Sequence, residues 1–170
     1  MKTYLLLISC VFSFPLFAQT IKINESEATI KFVFVEDDVD GTLSDFKFTG
    51  IIDLDDLENS NFSGSVATET IDTNNWFRNR HLRNKYFKYE EFPRLFFKST
   101  KIQGNGKEFL VKGTLTIKGI SKPVTFTFHQ KPTSFYATTM INAAHYDINI
   151  NKEDSRNMVQ VMITLPFTAN

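Results

Sequence analysis

The sequence predicts an all-β fold of about eight antiparallel strands, with one short helix inserted between the third and fourth. Three observations lead there. Apolar residues recur at every second position in one segment after another, the period of a half-buried strand. One stretch alone, residues 73–85 (TNNWFRNRHLRNK), drops that period and holds neither Gly nor Pro. Phenylalanine is abundant, at 18 of 170 residues, and its positions follow the alternation.

The elements follow in order. Ile30, Phe32 and Phe34 share a face, opposed by Thr29, Lys31, Val33 and Val35. Phe46, Phe48, Gly50, Ile52 and Leu54 form the second set, and Phe62, Gly64, Val66 and Thr68 the third. Residues 73–85 then read as a helix with Thr73 as its N-cap. Strand period resumes with Leu95, Phe97 and Ser99, and continues through Phe109, Val111, Gly113, Leu115 and Ile117. Val124, Phe126 and Phe128 make the sixth set, Phe135, Ala137, Thr139 and Ile141 a weaker seventh, and Val159, Val161, Ile163, Leu165 and Phe167 the eighth. Gly104-Asn105-Gly106 marks a hairpin, and Gly119 opens another tight connection. Such strands close into a barrel able to hold one small ligand, or stack as a two-sheet sandwich.

The N-terminus predicts export. Met1 and Lys2 precede an apolar run to Phe17, and Ala18 ends it before Gln19, the layout of a signal peptide cut after Ala18. The run is short for a span of roughly 20 residues, and no other stretch approaches one, so the mature chain is expected to lack a transmembrane segment. A rival cleavage ahead of Cys10, at Leu7-Ile8-Ser9-Cys10, would strand the apolar residues 11–17 on the product. Cleavage after Ala18 leaves one domain over 19–170, periplasmic or secreted, with basic residues one fewer than acidic. That balance does not call for nucleic acid. Cys10 is the single cysteine and leaves with the leader, so the core must supply the stability.

Chemistry-bearing constellations are sparse. His81, His129 and His145 are far apart and show no metal-ligand spacing; no G-x-S-x-G elbow or Gly-rich phosphate loop occurs. No catalytic residue, metal site or cofactor is expected. The acidic stretches 36–40 and 53–56 read as solvated turns, since neither has the order of a calcium loop. Arg78, Arg80, Arg83, Lys85 and Lys88 form an acid-free run that reads first as a solvated helix face and second as a cradle for an anionic head group. Among them, Trp76, Phe77, Leu82 and Phe87 read first as the face docking the helix on the sheet. Arg78 and His81, about one turn apart, share a side. Of the 15 phenylalanines after Ala18, 11 fall on the inward faces, and inward Gly50, Gly64, Gly113 and Ala137 are expected to leave free volume among them. The candidate cavity lining is therefore Phe32, Phe34, Phe46, Phe48, Val66, Phe97, Phe109, Val111, Leu115, Phe126, Phe128, Phe135, Val161 and Ile163 from the strands. Trp76, Arg78, His81, Leu82 and Phe87 join it from the helix region.

The order of motifs resembles the YceI-like family. Arg78-Asn79-Arg80-His81-Leu82, Phe87, Phe92-Pro93 and Phe97-Lys98-Ser99 carry the likeness, with residues 113–119 (GTLTIKG), Lys122-Pro123-Val124, Gly41 and Phe46-x-x-x-Gly50. The resemblance implies an extended antiparallel eight-stranded lipocalin-like barrel in an exported bacterial protein. It also implies a central pocket for polyisoprenoid lipids, such as isoprenoid quinones or polyprenyl carriers, in a binder and not a catalyst. Two places depart from the family pattern. Asn79 stands where Asp is usual, and Ala143 and Asp147 stand where Arg and Gly are often found. The resulting expectation is a carrier of an isoprenoid or other long-chain lipid, with homodimerisation left open. Its rivals are an exported module with a packed core acting through protein contacts, and a lipid-modifying enzyme using His81 or an Asp.

Overall fold

A computed structural model describes residues 20–104 and 106–169. The expected leader, its cleavage after Ala18 and Cys10 lie outside the described residues, as does Asn105 of the expected hairpin turn.

Ten strand segments form one antiparallel sheet: β1 (Thr20–Ile23), β2 (Thr29–Phe34), β3 (Val39–Leu43), β4 (Lys47–Asp53), β5 (Asn61–Ala67), β6 (Arg94–Gln103), β7 (Glu108–Ile117), β8 (Ile120–Gln130), β9 (Ser134–Asn142) and β10 (Met158–Ala169). The order β1-β4-β5-β6-β7-β8-β9-β10 returns to β1, so the sheet closes as a barrel. The hairpin β2–β3 lies on the same course: β2 pairs with β10, and β3 with β2. Ile21 opposite Ile52 and Ile30 opposite Leu43 belong to one register. Each pair β1/β2 and β3/β4 is thus one strand position broken in the middle, and the barrel has eight positions. At the break, the Glu25 carboxylate accepts from the Phe48 N–H at 2.7 Å.

All eight strand sets expected from the alternation are strands; β1 and β3 were not expected. Most apolar side chains face in, while Lys31, Lys98, Lys112 and Gln160 face out, with Ile51, Leu110 and Met140 exposed among the outward residues. A membrane-spanning barrel has the reverse pattern. Among the described residues, no helix is long and apolar enough to cross a membrane.

The one α-helix among the described residues, α1 (Trp76–His81), lies between β5 and β6 and continues into a π-helical turn, in which the Phe87 N–H donates to the Leu82 carbonyl at 2.9 Å. It starts later than expected. Asn75, not Thr73, is the N-cap, accepting from the Arg78 N–H at 3.0 Å. Thr73 is engaged otherwise: its hydroxyl donates to Asn79 Oδ1 at 2.6 Å and accepts from Arg78 Nε at 2.7 Å.

The core divides along the barrel. Phe109, Phe128, Phe135 and Phe167 interlock with ring centroids 4.8–6.0 Å apart, and Val111 and Ala137 beside them are wholly buried. This end is solid.

Candidate functional site: a hollow barrel end beneath the helix

The other end is open. A cavity of about 730 Å³ lies inside the barrel, within the roughly 300–1,000 Å³ of small-molecule pockets. Its walls come mostly from β2 to β10, with α1 and the turn after it and the connections carrying Ile71, Ala143, Ile148 and Ile150 completing the rim. Phe62, Phe126 and Phe128 line it, with Phe109 and Phe135 packed against Phe128 on the side away from the space.

Fifteen of the nineteen singled-out residues line this space: Phe32, Phe34, Phe46, Phe48, Val66, Phe97, Leu115, Phe126, Phe128, Val161 and Ile163 from strands, with Arg78, His81, Leu82 and Phe87 from the helix and its extension. Four do not. Phe109, Val111 and Phe135 are inward but fill the solid end. Trp76 is 64% exposed on the outer side of α1. It therefore neither lines the cavity nor docks the helix, and Phe77 at 78% exposure does not dock it either, although its ring edges the mouth. Leu82 does dock it, and is buried.

The glycines expected on the inward face do not leave holes at their own positions, contrary to expectation, and Gly50 is itself exposed. A Cβ on Gly113 would lie 2.4 Å from the Lys98 carbonyl and 2.4 Å from the Phe97 ring. One on Gly64 would meet the Phe46 ring at 3.1 Å, and one on Gly50 the backbone of Asn61 and Phe62. Aromatic rings and neighbouring backbone already occupy the space. Ala137 belongs to the solid end.

The rim is where polarity enters. Arg78, His81, Tyr86 and Asp37 are at the mouth of an otherwise mostly apolar wall. Arg78 is held by Thr73, through Nε to the hydroxyl and Nη2 to the carbonyl at 2.7 Å each. Arg83 is held by the Ile71 carbonyl, with Nη2 at 2.7 Å. These two are therefore anchors and not a freely solvated face, as the run of cations had suggested. Lys88 faces Glu91 at 3.9 Å, and Arg80 lies over the Trp76 ring at 5.7 Å. No carboxylate among the described residues pairs with Arg78 or Arg80. The His81 ring stands edge-on to Tyr86 at 5.3 Å. Among the described residues, no group of three metal-ligating side chains converges.

Both departures from the family pattern fit their surroundings. The Asn79 oxygen accepts from the Thr73 N–H at 2.8 Å, while its amide donates to Asp72 at 2.7 Å. An aspartate there would face Asp72 with a second carboxylate. The Asn74 N–H and the Asn79 amide hold the Asp72 carboxyl below its ordinary pKa. Asp147 has φ 56°, the left-handed region that Gly favours and Asp tolerates. Ala143 is buried and lines the cavity.

Sequence reasoning missed Val39, Leu43, Ile148 and Ile150, which also line the space. Val39, Gly41 and Leu43 alternate over only five residues, and Ile148-x-Ile150 is shorter still. The rim segment after Asp147 is held by Asn157, wholly buried, whose side-chain oxygen accepts from the N–H groups of Ile150 and Asn151 at 2.9 Å each.

A family model described as the YceI-like domain matches residues 21–170. A UPF0312 protein of Photorhabdus laumondii is 34% identical over 85 residues, 49% of this chain and 44% of that relative, so the match spans less than half of the relative's length. Among solved structures, BcnA of Burkholderia cenocepacia is similar with a TM-score of 0.75 at 18% identity, covering 85% of this chain and 98% of that one. A polyisoprenoid binding domain from Saccharophagus degradans, implicated in plant cell wall breakdown, is similar with a TM-score of 0.60 at 14% identity, covering 90% of this chain and 99% of that one. At such identities the structures share the fold. With the family model matching nearly the whole described chain, the barrel and its hollow end have their place: the chain belongs to the YceI-like family.

Proposed function

We propose that this protein is a non-catalytic carrier that holds a long apolar lipid, an isoprenoid chain, inside the open end of its barrel. The observation that supports it is the cavity of about 730 Å³ with a mostly apolar wall and its charged and ionisable side chains, Asp37, Arg78, His81 and Tyr86, at the rim. The tail would lie along Phe62, Phe97, Phe126 and Phe128, and the head group would meet Arg78, His81 and Tyr86.

Energetics favour a long ligand. Each buried methylene contributes about 0.8 kcal/mol, against an association cost of roughly 4–15 kcal/mol. About ten carbons only break even; several isoprene units bind tightly without a hydrogen bond. The Saccharophagus structure, described as a polyisoprenoid binding domain, favours an isoprenoid over a straight chain. An interior with a hollow this size weighs against the rival module whose interior is simply packed.

We further propose that the chain is exported, as the apolar run before Ala18 suggests, and works in the periplasm or outside the cell. Protein recovered gently from a bacterial host should carry an isoprenoid in near-stoichiometric amount, read by organic extraction and mass spectrometry. Intact mass should show a chain starting at Gln19. Protein that emerges lipid-free, and takes up neither quinones nor polyprenols from detergent, sinks the carrier reading.

A further inference from the structure

We infer that the outer side of α1 is a docking surface for an anionic lipid bilayer, set at the mouth of the cavity. Trp76 and Phe77 are 64% and 78% exposed, adjacent, with ring centroids 4.8 Å apart. Large aromatics are seldom left this open, and a pair on one short helix is a patch, not a scattered residue. Every charge in the segment from Thr73 to Tyr89 is positive. Arg80 lies over the Trp76 ring at 5.7 Å and Lys85 over the Tyr86 ring at 5.3 Å, so cations and aromatics share one surface.

Indole and phenyl rings flanked by Arg and Lys match the boundary between acyl chains and anionic head groups. An acidic protein partner would use the cations but leave two exposed rings unexplained. A neutral bilayer would use the rings and leave the cations unexplained. Of the acids near α1, Glu36 pairs with Arg156, while Asp37 and Asp72 keep their charge, two carboxylates against Arg78, Arg80, Arg83 and Lys85, so the surface stays net positive. Phe77 both points outward and edges the cavity, so a docked bilayer would meet the opening directly. This deepens the carrier reading, on which its purpose rests, by naming where the lipid is exchanged.

Trp76 is the only tryptophan in the chain, and it reports docking by itself. Vesicles of phosphatidylcholine with phosphatidylglycerol should shift its emission to the blue, and brominated acyl chains should quench it. Phosphatidylcholine alone should do neither. Arg80→Glu with Lys85→Glu, both off the cavity wall, should weaken vesicle binding at least tenfold, since each cation near a charged surface contributes about 1 kcal/mol. Trp76→Ala should weaken co-sedimentation while uptake of an isoprenoid from detergent stays unchanged. The docking proposal is overturned if emission is unmoved by anionic vesicles at low salt. It is equally overturned if the double charge variant binds as well as the parent, or if the blue shift follows protein concentration without vesicles, which would mean a second copy covers the patch. Protein that docks yet takes up no isoprenoid would sink the carrier reading alone; protein that takes up isoprenoid yet never docks would sink this one alone.

Discussion

Gly113→Ala tests how the cavity wall is built. Gly113 lies on β7 opposite Ser99 of β6, with no unusual φ, so its backbone would accept alanine. Contact is the obstacle. The new methyl would stand 2.4 Å from the Lys98 carbonyl oxygen and 2.4 and 2.5 Å from two atoms of the Phe97 ring. The ring can rotate away, but the carbonyl is fixed by the barrel. Overpacking of this kind costs typically 1–3 kcal/mol, and a backbone obstacle places it at the upper end, about 3 kcal/mol. For a chain of this size that lowers the melting temperature by roughly 6–12 °C. Gly64→Ala is the internal comparison: its methyl would meet only the edge of the Phe46 ring, at 3.1 Å, and should cost about 1 kcal/mol. Urea unfolding followed by far-ultraviolet circular dichroism gives both values, since exposed Trp76 is a poor reporter of the core. Adding Phe97→Ala to Gly113→Ala should give a cost below the sum of the single changes by about 1 kcal/mol, because the ring half of the clash is gone. A Gly113→Ala protein within about 0.5 kcal/mol of the parent, the ordinary range for surface changes, would refute the close-packing argument.

Other outcomes follow from the same geometry. Leu115→Trp, placed on the cavity wall, should abolish retention of a long lipid while the melting temperature holds or rises; a variant that keeps its ligand would show that the lipid sits elsewhere. Asn157→Ala removes the acceptor of two backbone N–H groups and should cost about 2–4 kcal/mol, with faster amide exchange at Ile150 and Asn151 as the local signature. Burial pushes the Tyr146 phenol up to about 12, so its neutral form is favoured in the fold. That contribution is complete below about pH 10, the unfolded pKa, and is lost as pH rises toward 12, about 2–3 kcal/mol in all. Tyr146→Phe should flatten that alkaline loss in a pH series of urea midpoints.

Much of the barrel is legible because its signal is local. Alternation within β7 or β10 is long and regular, and the faces it predicts are the faces observed. β1 and β3 escaped because each is half of a broken strand, four or five residues long, with Gly41 interrupting the second. The helix start was misplaced for a different reason. Thr73 and Asn75 are both good caps on type alone, and the choice was made by Asn79 and Arg78, whose side chains reach back to Thr73. Contacts of this kind depend on the helix already being docked. Arg78 and Arg83 were misread on the same ground: their partners are backbone carbonyls at Thr73 and Ile71, which no charge pattern announces. Trp76 and Phe77 looked like docking residues because aromatics usually are, but the side of a six-residue helix is fixed by Leu82 and the turn that follows.

Period two reports which way a side chain points, and not whether anything meets it there. Phe135 and Phe97 obey the same alternation, yet one is wholly buried in the solid end and the other faces the cavity. At three positions the difference lies with glycines. Phe32, Phe46 and Phe97 all line the cavity, and each has a ring atom within 2.4–3.1 Å of where a Cβ on Gly41, Gly64 or Gly113 would stand. These rings lie against the barrel wall in seats that only glycine provides. With a larger residue in the seat, the ring would have to swing toward the barrel axis and narrow the space. The glycines thus do not supply volume at their own positions; they let large side chains withdraw to the wall, which leaves the centre hollow and its surface aromatic. Phe109, Phe135 and Phe167 have no glycine beneath their rings and pack against one another and against Phe128, which closes the cavity floor. One set of inward phenylalanines thereby builds a plug at one end and a lined cavity at the other.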